Sequence, residues 1–261
     1  MDRDILEEEL SQSTLNALKN YLSTENDDAS FHSKTDDQPS QASLPKKNEE
    51  YYKKEYWESR FTSEEEYEWL ISYDDVKAQL APRIKKTDQI LVVGCGNSSL
   101  SADMYDDGYR SITNIDFSSV VIENMMNKYQ DKEEMLWLEM DMLNLQFSAG
   151  QFDVVLDKAA MDALTTVEGD PWNPNQEILD QAHQMCTGIT RVLKDNGLFL
   201  QISFAQPHFR RKYLLGTIGH KEGCNYYSES YSWSLEYEDI VQGERGCFGH
   251  FLYVMQKKSV I

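Results

Sequence analysis

The chain has little of what would place it in several common classes. Its four cysteines, Cys95, Cys186, Cys224 and Cys247, lie far apart with no Cys-x-x-Cys pair, a pattern that suggests neither a zinc knuckle nor a disulfide framework. No metal is expected. No run approaches the roughly 18 apolar residues of a membrane-spanning helix. The N-terminus carries acids where a signal peptide would be apolar and a transit peptide arginine-rich, so the expected location is the cytoplasm, without a membrane partner. Basic residues are also scarce, with 25 Lys and Arg against 45 Asp and Glu for a net charge of −20. A binder of nucleic-acid phosphates needs a basic stripe; nucleic acid is therefore not expected, and a basic protein is the more natural partner. Surplus acid that simply keeps the chain soluble is the competing explanation.

What the sequence does have begins late. Residues 1–48 are rich in Ser, Thr, Asn, Asp and Gln, with one short helical pattern at Leu6, Leu10, Leu15 and Leu18. So little apolar surface cannot offset the entropy of ordering, and this acidic, Ser-rich segment reads as a mostly disordered extension. Residues 49–261 read as a single domain. It opens on Tyr52, Tyr56, Trp57 and Phe61, aromatics near helical spacing, followed by Tyr67 and Trp69. Taken alone such a stripe is core packing more often than ligand contact.

The domain is organised around residues 88–116. Ile90 to Val93 is a short β-branched run suited to a strand buried on both faces. Gly94-Cys95-Gly96-Asn97-Ser98 then makes a tight turn in which two glycines allow close backbone approach, with Ser98 or Ser99 placed to cap a helix from near Leu100. A second strand, Ile112 to Ile115, delivers Asp116 twenty positions after Gly96, where an acid typically grips ribose hydroxyls. A dinucleotide fingerprint would want a third glycine, but position 99 is Ser. A bare turn without ligand also fits Gly-x-Gly alone.

Further strands are expected at Met135–Met140, followed by Asp141, and at Phe152–Leu156, followed by Asp157. Three acids, Asp116, Asp141 and Asp157, thus fall at the carboxyl ends of parallel strands, the edge on which open α/β sheets bind ligands. A long loop (Glu168 to Pro174), a helix Ile178–Leu193, a strand Leu198–Phe204, an alternating segment through Tyr231 to Tyr237 and a last strand Phe248–Gln256 complete the pattern. The fold class is α/β, five parallel strands and then an antiparallel pair, with helices on both faces.

In Leu91-Val92-Val93-Gly94-Cys95-Gly96-Asn97-Ser98, Asn114-Ile115-Asp116-Phe117-Ser118-Ser119, Phe152-Asp153-Val154-Val155-Leu156-Asp157-Lys158, Asp170-Pro171-Trp172 and Pro207-His208-Phe209-Arg210, the sequence resembles the seven-stranded class I methyltransferases, and most nearly the elongation factor 1-alpha lysine methyltransferases. The likeness runs from about residue 51 to the C-terminus. It departs where relatives have Lys-Gly-Thr-Leu-Asp and this chain has Lys158-Ala159-Ala160-Met161-Asp162. The resemblance implies a Rossmann-like seven-stranded sheet, S-adenosyl-L-methionine as cofactor and a protein lysine, on elongation factor 1-alpha, as substrate. It implies that Trp57, Phe61 and Tyr67 lie over the methionine portion and that Gly94 and Gly96 let the backbone pass the cofactor. Asp116 would hold the ribose, Phe117 stack on adenine, and Asp141 with Met142 meet its amine and edge. Asp157 would face the methionine amino group or the incoming amine.

A lysine amine, with a pKa of about 10.4, must lose a proton before it can attack. Asp157, Lys158 and Asp162 are the candidate catalytic residues, the two acids as orienters of the amine. Asp162 equally suits the first turn of a helix as a dipole-favoured acid, and His208 is a further candidate proton acceptor. Methylation of a small molecule, or a binding module that only keeps the fold, are the alternatives; the intact Gly94, Gly96 and Asp116 set argues against the module.

Overall fold

The structure is a computed structural model, and it describes residues 45–222, 225–240 and 249–259. The helix expected near Leu6–Leu18, and the extension as far as residue 44, lie outside these residues, as do Cys224 and Cys247. All described residues belong to one compact unit.

The unit is built on a nine-stranded sheet. Four apolar residues in a row make β1 (Ile90–Val93), buried throughout as a central strand must be. β2 (Ile112–Asp116) and β3 (Leu136–Glu139) pair parallel to one side of it. β4 (Phe152–Lys158) pairs parallel on the other side. A two-residue ladder, β5 (Gly169–Asp170) with β6 (Asn173–Pro174), stands apart from the sheet. β7 (Leu193–Ser203) joins β4 in parallel. β8 (Gly219–Glu222), β9 (Asn225–Ser228), β10 (Trp233–Ile240) and β11 (His250–Lys257) are all antiparallel to their neighbours. The order is β3-β2-β1-β4-β7-β11-β10-β9-β8.

Five parallel strands and a terminal antiparallel pair agree with expectation; the β8–β9 hairpin does not appear in it. Its sequences, Gly-His-Lys-Glu and Asn-Tyr-Tyr-Ser, show no apolar alternation, because an edge hairpin buries little. β7 also begins earlier than expected, running through the Lys194–Gly197 turn across a register shift.

Helices cover both faces. Against one face lie α1 (Lys54–Phe61), α2 (Tyr73–Leu80), α3 (Leu100–Asp106) and α4 (Ser119–Lys128), burying Phe61, Val76, Leu80, Met104, Val121 and Met125 with Ile90, Val92 and Leu156. Against the other lie α5 (Ala160–Thr165), α6 (Gln176–Val192) and α7 (Pro207–Leu215). α6 buries Ile178, Ala182, Met185, Cys186, Ile189 and Val192, a stripe at three-to-four-residue spacing facing Leu91, Val155 and Phe199. The two cores therefore meet the sheet from opposite sides, and successive residues of each central strand belong to different cores.

Candidate active site

The glycine turn after β1 is left-handed at both glycines, with φ of 58° at Gly94 and 51° at Gly96, a conformation that costs a side-chain-bearing residue about 1–2 kcal/mol. At Gly94 there is a second reason. A Cβ there would sit 2.5 Å from the Cβ of Ala160, so glycine lets the turn lie against the start of α5. The following helix is tied by Ser98, whose hydroxyl accepts from the Leu100 N–H at 3.1 Å.

Asp116 closes the turn from the next strand. Its Oδ2 accepts from Gly96 N–H at 3.0 Å and its Oδ1 from Ser118 N–H at 2.9 Å. Each oxygen keeps a further lone pair, which suits a vicinal diol. Burial is the main force on this carboxyl and pushes its pKa up to about 6, against the two N–H bonds. Phe117, half-buried, stands beside it with the Lys54 ammonium 5.8 Å over its ring. These residues fit a nucleoside cofactor: a fixed anion at the strand end, a ring beside it, and a turn without side chains.

Beyond β3, Asp141 is exposed, and its Oδ1 accepts from Leu143 N–H at 2.8 Å. Met142 beside it is half-buried.

The aromatic segment forms a cap over the same edge. Trp57 stacks on Phe61, ring centroids 5.5 Å apart, and donates its indole N–H to Tyr51 O at 2.7 Å. Tyr67 meets Trp69 edge-on at 4.8 Å. Arg60, buried, threads this cluster: its guanidinium lies 4.9 Å from the Tyr67 ring and 4.6 Å from that of Trp69, and it grips Glu64 through a fork of 2.8 and 2.6 Å. Sequence reading passed over Arg60 and Glu64. An arginine set between Trp57 and Phe61 in an aromatic stripe was the available signal.

Lys158 completes the cap. Its Nζ donates to Glu68 Oε2 at 2.8 Å, Trp69 O at 2.9 Å and Ile71 O at 3.3 Å, while Glu68 Oε1 accepts from Ser99 N–H at 2.6 Å. The strap of residues 64–71 is thereby fastened to both the glycine turn and β4. Lys158 is among the residues expected to be catalytic, and here all three of its ammonium protons are engaged with the strap. Burial lowers its pKa, opposed by Glu68.

Asp157, one residue earlier, points to the other core and is fully buried. Its Oδ1 accepts from Ala160 N–H at 2.8 Å; its Oδ2 accepts from Gln201 Nε2 at 2.7 Å and Met161 N–H at 3.3 Å. The acid caps α5, which therefore starts at Ala160 behind a left-handed Ala159 (φ 69°), not directly after the strand. Burial, with Asp162 adding to it, pushes its pKa up to about 6. Asp162 is buried a turn further along, where its Oδ1 accepts from Ser203 Oγ at 2.6 Å and from Arg210 Nη2. Gln201, Ser203 and Arg210 went unread as site residues, although Arg210 ends a motif quoted above.

His208 lies apart from these acids. It stacks on Trp172 with ring centroids 5.5 Å apart, and Trp172 is 52 % exposed. Among the described residues there is no cluster of three or more His, Cys, Asp or Glu that could hold a metal, and no helix long and apolar enough to cross a membrane.

Comparison with known proteins finds methyltransferases among those this chain is similar to. Residues 91–201 match the family model described as "Methyltransferase domain". EEF1A lysine methyltransferase 4 of Mus musculus is 34% identical over 217 residues, 82% of this chain and 79% of that one. The eEF1A lysine and N-terminal methyltransferase of Homo sapiens is 38% identical over 180 residues, covering 68% of this chain and 24% of that longer protein. The crystal structure of the N-methyltransferase NodS from Bradyrhizobium japonicum, in complex with S-adenosyl-L-homocysteine, superposes with a TM-score of 0.53 at 14% identity over 80% of this chain and 99% of that one; at that identity it speaks for the fold alone.

Proposed function

The chain belongs to the methyltransferase family of EEF1A lysine methyltransferase 4, and from that membership we propose that it methylates a lysine ε-amine of translation elongation factor 1-alpha. The observation that carries this reading is the likeness to that enzyme over 82% of this chain. The methyl donor is S-adenosyl-L-methionine, whose sulfonium already makes the methyl group reactive. What remains for the protein is to place a deprotonated amine in line with it. The catalytic unit we propose is residues 49–261, working in the cytoplasm, where its substrate, a translation factor, is used.

Asp116 holds the ribose through its two spare lone pairs, with Phe117 against adenine and Asp141 and Met142 at its edge. Gly94 and Gly96 keep the turn bare where the cofactor passes. Trp57, Phe61 and Tyr67 cover the methionine end and exclude water. Asp157 faces the amino end of the cofactor while capping α5, and Asp162 orients the incoming amine. With 45 acids against 25 bases, the chain is suited to a basic protein surface.

The test is donor carrying a labelled methyl, purified enzyme and cell extract displayed on a gel. A labelled protein band at the mass of elongation factor 1-alpha is expected, and it should be lost in Asp162→Asn, which still binds S-adenosylhomocysteine. Asp157→Asn should lose the band with weakened cofactor binding as well. Label found only in small-molecule fractions would overturn the reading.

A further inference from the structure

At the carboxyl end of β7, on the α5–α7 side of the sheet, the fold buries a polar cluster that it does not saturate. Asp162 from α5, Arg210 from α7, and Gln201 and Ser203 from β7 make it up, and each is at least 95 % buried. Asp162 Oδ1 is doubly engaged, by the Ser203 hydroxyl at 2.6 Å and by Arg210 Nη2. Asp162 Oδ2 has no hydrogen-bond partner, and neither do Arg210 Nε, Arg210 Nη1 and Gln201 Oε1. Buried polar atoms without partners are rare in native proteins because each forfeits its hydration without compensation. Four of them together point to a group that arrives from outside.

The balance of charge says which group. A lone buried carboxylate would favour the ammonium form of an amine beside it, since an opposite charge favours the charged form, and an ammonium cannot attack. A carboxylate already paired with a guanidinium has much less of that pull, and the guanidinium adds repulsion toward a second cation. Its free oxygen still accepts an N–H. We infer that Arg210 is a positioning residue for the methyl-accepting amine: by occupying Asp162 Oδ1 it leaves Oδ2 for an amine N–H, and by offsetting the carboxylate charge it allows that amine to be oriented without being held protonated.

This rests on the lysine-methylation reading above. The titratable groups facing the pair are Asp157 from β4, Cys186 from α6, Tyr213 from α7, and His250 and Tyr253 from β11. Burial raises the Cys186, Tyr213 and Tyr253 pKa values and lowers that of His250, so all four are neutral near pH 7.5. The groups that carry charge at the site are then the two acids, each pushed upward by burial, and the one guanidinium, which pulls both back down. Removing Arg210 takes away the one cation facing the two acids, so any negative charge they carry would favour the ammonium form of the amine.

The experiment compares the full unsubstituted chain with Arg210→Met and Arg210→Lys, using S-adenosyl-L-methionine and elongation factor 1-alpha at saturation. Because kcat reports ionisation within the enzyme–substrate complex, its acid limb is followed from pH 6.5 to 9.5. In Arg210→Met the limb should move up by about one pH unit, seen as a loss of about tenfold at pH 7.5 that is regained at high pH. Affinity for S-adenosylhomocysteine should stay unchanged, and Arg210→Lys should restore the limb. An equal loss at every pH would make Arg210 a merely structural residue and overturn the inference, as would an unmoved limb. Should Arg210→Met fail to fold, the unsubstituted enzyme decides: its limb must lie at least a unit below the pKa of about 10.4 of a free lysine, and a limb that climbs tenfold per pH unit with no levelling up to about pH 9.4 overturns the inference. If no lysine is methylated by the unsubstituted chain, the underlying reading fails first and takes this inference with it.

Discussion

Asp116 is held by two backbone N–H groups yet has a pKa of about 6 because burial outweighs them. Its folded pKa is raised above the ordinary 3.8, so between about pH 4 and 6 the folded chain keeps a proton that the unfolded chain has lost. Stability from this group therefore falls as pH rises through that window, and the same holds for Asp157. Cofactor affinity has the opposite trend, because an ionised acceptor makes the stronger bonds to hydroxyls. Titration calorimetry with S-adenosylhomocysteine should find constant affinity above about pH 6.5 and roughly a tenfold weakening by pH 5. Asp116→Ala should cost about 1.5–3 kcal/mol of binding at pH 7.5; unchanged affinity in that variant would remove the ribose role.

At the scale of elements, the strap of residues 64–71 has no regular structure of its own and is held by ties to Lys158, Ser99, Asn97, Arg60 and Lys128. Lys158→Met should therefore loosen it, costing about 1–3 kcal/mol of stability and speeding amide exchange in residues 64–71 far more than in β1 or β7; uniform exchange across the domain would refute the fastening role. The strap was hidden from sequence analysis for a definite reason. Lys158 and Glu68 are ninety positions apart, Asp162 and Arg210 forty-eight, and no local periodicity links such partners. What was legible was local: β1, the glycine turn, α3 and β2 follow from an apolar run, two glycines, a capping serine and an acid within thirty residues. The β8–β9 hairpin stayed invisible because its few apolar groups mark neither a strand face nor a helix face.

For the whole molecule, the first 50 residues hold twelve acids and five bases, leaving a net charge of −13 on the remainder. Attraction of a basic partner by such a field is screened over about 8–10 Å at physiological salt. Raising sodium chloride from 50 to 300 mM should increase KM for the protein substrate several-fold and leave kcat and S-adenosylhomocysteine affinity nearly constant; a KM indifferent to salt would assign the acidity to solubility alone. The sheet imposes a condition of another kind. Asp157 and Lys158 are consecutive in β4 and face opposite cores, the acid toward α5 and the lysine toward the strap. Side chains in a strand alternate with a period of two, so a slip of β4 by a single residue would turn both to the wrong face: in one direction Lys158 would stand against Gln201, in the other Asp157 would stand against the carbonyls of Trp69 and Ile71. The register of one central strand thus acts as a parity check on the active centre: odd displacements turn both of its halves to the wrong face at once, unless a bulge such as the irregularity between Phe152 and Val154 absorbs the extra residue before Asp157.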